Sequence, residues 1–223
     1  IIESEGPEVS IGQTCAISSS RHDERTEAEV VGFRDNMVLL MALESVHRIH
    51  PGCQVTAKPN SNEVPCGSAL LGRVIDGMGR PLDGKGPLRA KSREGFFAEP
   101  PNPLSRALIR QPFGTGIKAI DSFVPLGRGQ RIGIFAGSGV GKSILLGMVA
   151  RGSEADINVI SLVGERGREL REFVENDLGP EGLAKSVIVI STSDQPAPMR
   201  IRASILATAI AEGFRDEGSN VLL

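Results

Sequence analysis

The run AGSGVGKS at 136–143, set between the apolar stretches RIGIF (131–135) and ILLGMVA (144–150), restricts the fold more than any other feature of this chain. Glycine at 137, 139 and 141 frees the main chain to turn with unusual φ, so that successive N–H groups can converge on one anion. A strand-length apolar stretch before it and a helix-forming run after it make the context of a phosphate-binding P-loop. The segment that would hold a nucleotide is then Gly137, Ser138, Gly139, Val140, Gly141, Lys142, Ser143 and Ile144. The helix N-terminus adds the positive end of its dipole. Lys142 would lie along the β- and γ-phosphates, and Ser143 would give its hydroxyl to Mg²⁺. Position 136 is Ala where the motif has Gly, and a single methyl group is accommodated there. The alternative, a glycine turn joining strand to helix with a solvent-facing lysine, is disfavoured by the combined spacing and context.

From residue 111 onward the pattern alternates between β and α. A buried strand is expected at 131–136, then a helix at 141–152, a strand at 158–163 and a charged amphipathic helix at 168–178. A strand at 186–191 and a long helix at 199–218 follow, the helix carrying apolar residues at Ile201, Ile205, Ala209 and Ile210. A last strand opens at 220–223. Near-continuous apolar runs fit a parallel sheet covered on both faces, and the strand–helix–strand order gives an α/β layer. Residues 1–72 read differently, as short strands with dense turns and a hairpin turn at Arg34-Asp35-Asn36, which suggests a small β-barrel. Residues 73–110 are rich in Gly and Pro. They read as a hairpin with tight turns at Asp76-Gly77 and Asp83-Gly84, then an extended connector in which Pro100, Pro101 and Pro103 oppose regular structure. The expected organisation is therefore a barrel at 1–72, a hairpin and connector at 73–110, and a P-loop domain at 111–223.

A net charge of −2 gives no general attraction to nucleic acid or anionic lipid. No apolar run reaches the ~18 residues of a membrane span. Cys15, Cys53 and Cys66 lack metal-ligand spacing, and an odd, sparse set fits a reducing cytosol. His22, His47 and His50 read as exposed loop or strand-end residues. Both ends break off within strand-like sequence, so the chain reads as part of a longer protein.

The residue that narrows the chemistry follows the second strand, in SLVGERGRELREF. Glu165 falls at the C-terminal end of that strand, where open α/β sheets bind ligands. There a carboxylate can polarise a water for attack on a γ-phosphate. Gly164 and Gly167 on either side permit a tight turn. An exposed Glu165–Arg166 pair at a strand end is the plainer alternative.

Taken together, FGTGIKAIDSFVPLGRGQRIGIFAGSGVGKS, VGERGRELREF, STSDQPAPMR and ATAIAEGFRDEGSNVLL resemble the ATPases of bacterial flagellar and type III protein export, relatives of the catalytic β subunit of rotary ATP synthases. GPEVSIGQ and VIDGMGRPLDGKGPL extend the resemblance through the first half of the chain. It implies an α/β fold with an N-terminal small β-barrel, then a RecA-like P-loop domain with a mainly parallel sheet, then a helical C-terminal domain beyond this sequence. It also implies ATP and Mg²⁺ as ligands, with Lys142, Glu165 and Arg166 as the catalytic set. Glu165 would be the catalytic carboxylate and Arg166 would orient it or the phosphates. Non-catalytic relatives carry Gln at the position of Glu165. The implied partners are further copies of the chain in a hexameric ring, stalk, regulatory and membrane export-gate proteins, and export substrates with their chaperones. The implied location is cytoplasmic, peripheral to the inner membrane. The chain departs from the export pattern at Ile144, usually Thr. The Mg²⁺-coordinating Asp that would follow the last strand, the arginine finger and the adenine pocket lie outside the sequence.

Other readings remain. A rotary ion-translocating ATPase subunit shares the motifs. A ring-shaped RNA helicase of the Rho type shares the fold, but the chain has no Trp or Tyr and no basic track interleaved with aromatics, so no nucleic-acid partner is expected. A nucleotide-binding assembly module without catalysis is the third.

Overall fold

A computed structural model of the chain describes residues 1–19, 22–47, 49–59, 63–137 and 139–223, and of residues 22–24 and 94 the backbone only. The first five strands are β1 (Ile2–Ser4), β2 (Thr14–Ser19), β3 (His22–Arg34), β4 (Met37–Ala42) and β5 (Gln54–Ala57). They form one antiparallel sheet in the order β1-β4-β3-β2-β5. This is the expected barrel domain, with its sheet left open between β1 and β5. The expected hairpin turn joins β3 to β4, with Asp35 at φ 51°. Side-chain alternation then puts Ala28, Val30, Val38 and Leu40 into one core with Cys15 and Ile17. Val31 and Phe33, out of phase with Ala28 and Val30, face away from that core and are exposed, and the pairing with β4 shifts register between Val30 and Gly32. Residues 9–12 form a turn in which the Gln13 N–H donates to the Ser10 carbonyl. The side chain of His22 lies outside the described residues; His47 and His50 are exposed, as expected.

Two strands follow, β6 (Glu63–Cys66) and β7 (Arg73–Asp76), and then β8 (Lys91–Glu94). β6 and β8 pair as a two-stranded ribbon. β7, within the Gly/Pro-rich stretch, pairs in parallel with a strand more than a hundred residues further on. Its own turn is closed by Asp76, which accepts from the N–H groups of Met78 and Arg80 at 2.8 Å each.

The rest of the chain contains β9 (Pro112–Phe113), α1 (Lys118–Phe123), β10 (Leu126–Gly127), α2 (Lys142–Gly152), β11 (Ile157–Val163), α3 (Gly167–Glu172), α4 (Gly179–Ala184), β12 (Ser186–Ser191), α5 (Ala197–Asp216) and β13 (Val221–Leu222). The main sheet is wholly parallel, in the order β13-β11-β12-β7. Val187 and Val189 of β12 face α5 and pack on Ala203, Leu206, Ile210 and Phe214. Ile188, one residue out of phase, faces the other way, onto Ala150, Leu170, Phe173 and Leu178. Burial on both faces explains the unbroken apolar sequence of these strands.

Two expectations need correction. Residues 131–136 were expected as a buried strand, but they form no strand and are largely exposed, Phe135 at 96%. A strand is held by ladder bonds to a neighbour, and neither edge of the sheet supplies them. β13 is two residues long. The outer edge of β7 is taken by its own turn, where the Leu82 N–H donates to the Val74 carbonyl at 2.8 Å. The single helix expected at 168–178 is instead α3 followed by a π-helical turn, Phe173–Leu178. That turn brings the Asp177 carbonyl against Gly147 of α2, so close that a Cβ on Gly147 would stand 2.5 Å from it. On α5 the apolar residue Ile201 is 63% exposed, while Arg202, one position on, is buried.

Candidate nucleotide site

α2 begins where the glycines end. Gly141 is its N-cap in the left-handed region, at φ 94°, and Gly139 is also left-handed, at φ 77°. No neighbour would touch a Cβ at either position, so it is the backbone conformation and not crowding that calls for glycine. The helix is fixed at its far end. Asn158, fully buried on β11, donates from Nδ2 to the Ala150 carbonyl at 2.8 Å and to Ser186 Oγ at 3.2 Å. Gly116, at φ +76°, presses on the carbonyl of Gly152 at the foot of the same helix. Asp121 holds that loop closed by accepting from the N–H groups of Thr115 and Gly116 and from the Thr115 hydroxyl. Those three bonds keep its carboxyl below the usual carboxylate range. The FGTGIKAID segment thus seats α2, and so aims its N-terminus.

β11 ends in a turn at Gly164, at φ 79°, and Glu165 follows at the C-terminal edge of the sheet. Lys142 Nζ lies 3.7 Å from Glu165 Oε1, both side chains about two-fifths exposed. Ser143 is exposed next to Lys142, and Val140 and Ile144 also face outward, at 67% and 57%. Below them a crevice of about 30 Å³, lined by Ser143, Leu146, Leu162, Glu165, Glu169 and Phe173, separates α2 from α3. It has room for roughly a water molecule, so a nucleotide would sit above it, over the exposed groups. Ser138 lies outside the described residues. Gly137 is described but in neither strand nor helix.

Arg166 stands apart from its neighbour. It is the N-cap of α3, its carbonyl accepts from the Glu169 N–H at 2.9 Å, and its guanidinium reaches 3.9 Å from Glu169 Oε1 with the side chain 70% exposed. The structure brings Lys142 and Glu165 together with Ser143, and leaves Arg166 on the rim.

Sequence reasoning missed the groups that hold Glu165. The Gly164 N–H donates to the Ser191 carbonyl at 2.8 Å, and the Ser193 N–H donates to the Glu165 carbonyl at 3.2 Å. The Thr192 hydroxyl and a main-chain N–H keep the Asp194 carboxyl low in its range, within the loop that follows β12. STSDQPAPMR carries these residues, but the bonds are to main-chain atoms, which leave no trace in side-chain pattern.

A helix N-terminus, an ammonium group, a hydroxyl and a carboxylate lie at one edge of the sheet, and the first three are groups of the kind that take phosphate oxygens. Mg²⁺ takes few protein ligands and completes its shell with phosphate and water oxygens, and the exposed hydroxyl of Ser143 fits that need. A barrel domain followed by a parallel-sheet domain with a glycine loop before a helix defines a class of nucleotide-binding subunits. The chain belongs to the ATP synthase alpha/beta family: the family's beta-barrel domain matches residues 1–58 and its nucleotide-binding domain residues 116–223.

Among its relatives is the flagellum-specific ATP synthase of Bacillus subtilis, 53% identical over 223 residues, which are all of this chain and 51% of the relative. The type 3 secretion system ATPase of Xanthomonas euvesicatoria is 46% identical over 218 residues, 98% of this chain and 49% of that protein. The assembled ATPase EscN from the type III secretion system of enteropathogenic E. coli, solved in complex with its central stalk EscO, superposes with a TM-score of 0.88 at 44% identity. That match covers 99% of this chain and 54% of EscN. The chain thus spans about half the length of the relatives it matches.

Proposed function

We propose that the protein to which this chain belongs hydrolyses ATP to ADP and phosphate and that the reaction energises protein export by a flagellar or type III secretion apparatus. The observation that carries this reading is the placement of Lys142 and Glu165 on opposite sides of one cleft, 3.7 Å apart, at the C-terminal edge of a parallel sheet. Relatives named for flagellar and type 3 secretion systems support the biological setting.

In this mechanism the N–H groups of 139–143 and the head of α2 receive the phosphate chain, and Lys142 exchanges its carboxylate partner for the β- and γ-oxygens. Glu165, freed from the ammonium group, orients the attacking water and accepts its proton as the new oxygen–phosphorus bond forms, while the bond from the γ-phosphorus to the bridging oxygen breaks and ADP leaves. Gly137, Ser138, Val140 and Ile144 complete the main-chain cradle. Ser143 would hold Mg²⁺, which neutralises charge developing on the phosphate oxygens when bound. Arg166 is assigned to the outer phosphate region, reached by rotating away from Glu169. The described residues contain no helix long and apolar enough to cross a membrane. A position at the cytoplasmic face of the inner membrane, held by partners, suits the proposed role. By likeness to EscN, which is solved assembled and with a central stalk, the partners are other copies of the chain and a stalk protein, and the copies are proposed to form a hexameric ring. Export-gate proteins, regulators, substrates and chaperones belong to the same proposal.

The test is phosphate release from Mg-ATP by the full-length protein over a range of protein concentrations. Turnover per subunit should rise with concentration as rings form, and Lys142→Ala should remove it. Turnover that is absent, or indifferent to Lys142, contradicts the reading.

A further inference from the structure

Glu165 is held through its main chain by the end of β12 and by the loop that leads into α5. Ser191 and Ser193, which bond the Gly164–Glu165 turn, lie at the end of β12 and in the loop after it. That loop runs into α5 at its N-cap, Pro196. The first turns of α5 are in turn fixed against other parts of the molecule. Met199 and the Ala203 N–H lie so near Gly77 that a Cβ there would come within 2.9 Å of the Met199 sulfur. Arg80, from the same turn as Gly77, bonds Asp76 and reaches across to Glu44 of the barrel domain.

A second contact with the barrel is more direct. Arg202 projects from α5 with its side chain 7% exposed, and its Nη1 lies 3.4 Å from Oε2 of Glu29 on β3. Its guanidinium carbon stands 4.1 Å from the centre of the Phe96 ring. Glu27 and Asp76 add to the negative field around it. Glu27 is itself paired with Lys58 at 2.6 Å.

Burying an arginine and a carboxylate is a poor route to stability alone, because their desolvation largely offsets their attraction, and apolar residues of equal volume serve as well or better. What the pair supplies is registry: a guanidinium fork set between a carboxylate and a ring allows α5 one position on β3. We propose that Arg202 and Glu29 are positioning residues for hydrolysis, fixing α5 to the barrel domain so that the 192–195 loop holds Glu165 at its working distance from the phosphates. The inference rests on the ATPase reading above. A slide of α5 along β3 carries Ser193, and the Glu165 main chain moves with it.

The test uses the full-length protein with Arg202→Met, Glu29→Gln and the two combined. Turnover and affinity for a non-hydrolysable ATP analogue are measured, and folding is checked by thermal melting. Misplacement of a reacting group by about 1 Å can cost roughly 10²-fold, so a partial slide should lower kcat about tenfold in each single variant. Affinity for the analogue should stay within about twofold, because Lys142 and the loop glycines do not ride on α5. The double variant should be no slower than either single one, since both break one contact. If Arg202→Met does not fold, Glu29→Gln, nearly identical in shape, decides the matter by the same split. Unchanged kcat with only a lower melting temperature overturns the inference, as does affinity falling in step with kcat. If the wild-type protein hydrolyses ATP and the variants match it, this inference alone fails. If the wild-type protein neither binds nor hydrolyses ATP, it falls together with the reading beneath it.

Discussion

Lys142, the first residue of α2, and Glu165, just past the end of β11, face each other at 3.7 Å across the tip of the sheet. The ammonium group that would hold a phosphate therefore has a carboxylate for a partner, and the carboxylate that would activate water has an ammonium group. Each offsets the other's charge, and a polyanion bound at Lys142 would separate them.

Lys142→Ala removes the side chain that would bond the phosphates. Charge-assisted hydrogen bonds contribute up to roughly 3 kcal/mol, so affinity for Mg-ATP should fall about 100-fold or more. Equilibrium binding of a fluorescent ATP analogue to the full-length protein checks this; normal affinity would exclude Lys142 from the site.

Glu165→Gln keeps the size of the side chain and removes its basicity. Hydrolysis should slow by roughly 10²–10⁴-fold, while nucleotide binding is retained or tightened because Lys142 loses its competing carboxylate. Single-turnover hydrolysis with a parallel binding titration separates the two effects. Undiminished turnover would remove Glu165 from the chemistry.

Gly147→Ala tests the packing beneath the P-loop. The added methyl group would overlap the Asp177 carbonyl of the π-helical turn, so α2 must shift or the turn unwind. Overpacking of this kind costs about 1–3 kcal/mol, visible as a lower midpoint in urea unfolding. A variant as stable as the wild type would mean that the two helices are not in such close contact.

Asp83 gives the nucleotide-binding half an acid limit. It accepts from Arg73 at 2.7 and 3.0 Å and from the Val74 and Lys85 N–H groups at 3.1 and 3.0 Å, with its side chain 6% exposed. The Arg73 guanidinium above all holds its carboxyl far below the usual range. The unfolded chain, at about 3.9 for Asp, takes up the proton first. The stability from this group is thus fully present above that value and is lost as pH falls through the lower folded one. Asp83→Asn should destabilise the protein by about 3 kcal/mol at neutral pH, as for a buried pair broken on one side. It should also flatten the dependence of stability on pH below about 4. Melting curves from pH 3 to 7 would reveal either a converging pair of lines, as expected, or a constant offset, which would assign the effect to packing.

The P-loop, the helix after it and the three parallel strands at 157–163, 186–191 and 221–222 were legible from the sequence, because each rests on local pattern. Glycines grant left-handed φ at 139 and 141, and apolar continuity marks strands covered on both sides. The candidate pair Lys142 and Glu165 was legible for the same reason, since a helix N-terminus and a strand C-terminus in one parallel layer meet at one edge. The sequence did not show that 131–136 stays out of the sheet, for the apolar content of a strand says nothing of whether an edge is free to receive it. Nor did it show that β7 reaches across more than a hundred residues to join β12, or that Arg202 and not Ile201 faces inward. Glu29, which makes Arg202's burial tolerable, lies 173 residues earlier in the chain. Local conformation is set by the torsional freedom and polarity of neighbouring residues. Which distant surfaces meet, and which charges are thereby taken out of water together, is decided only when the whole chain has packed.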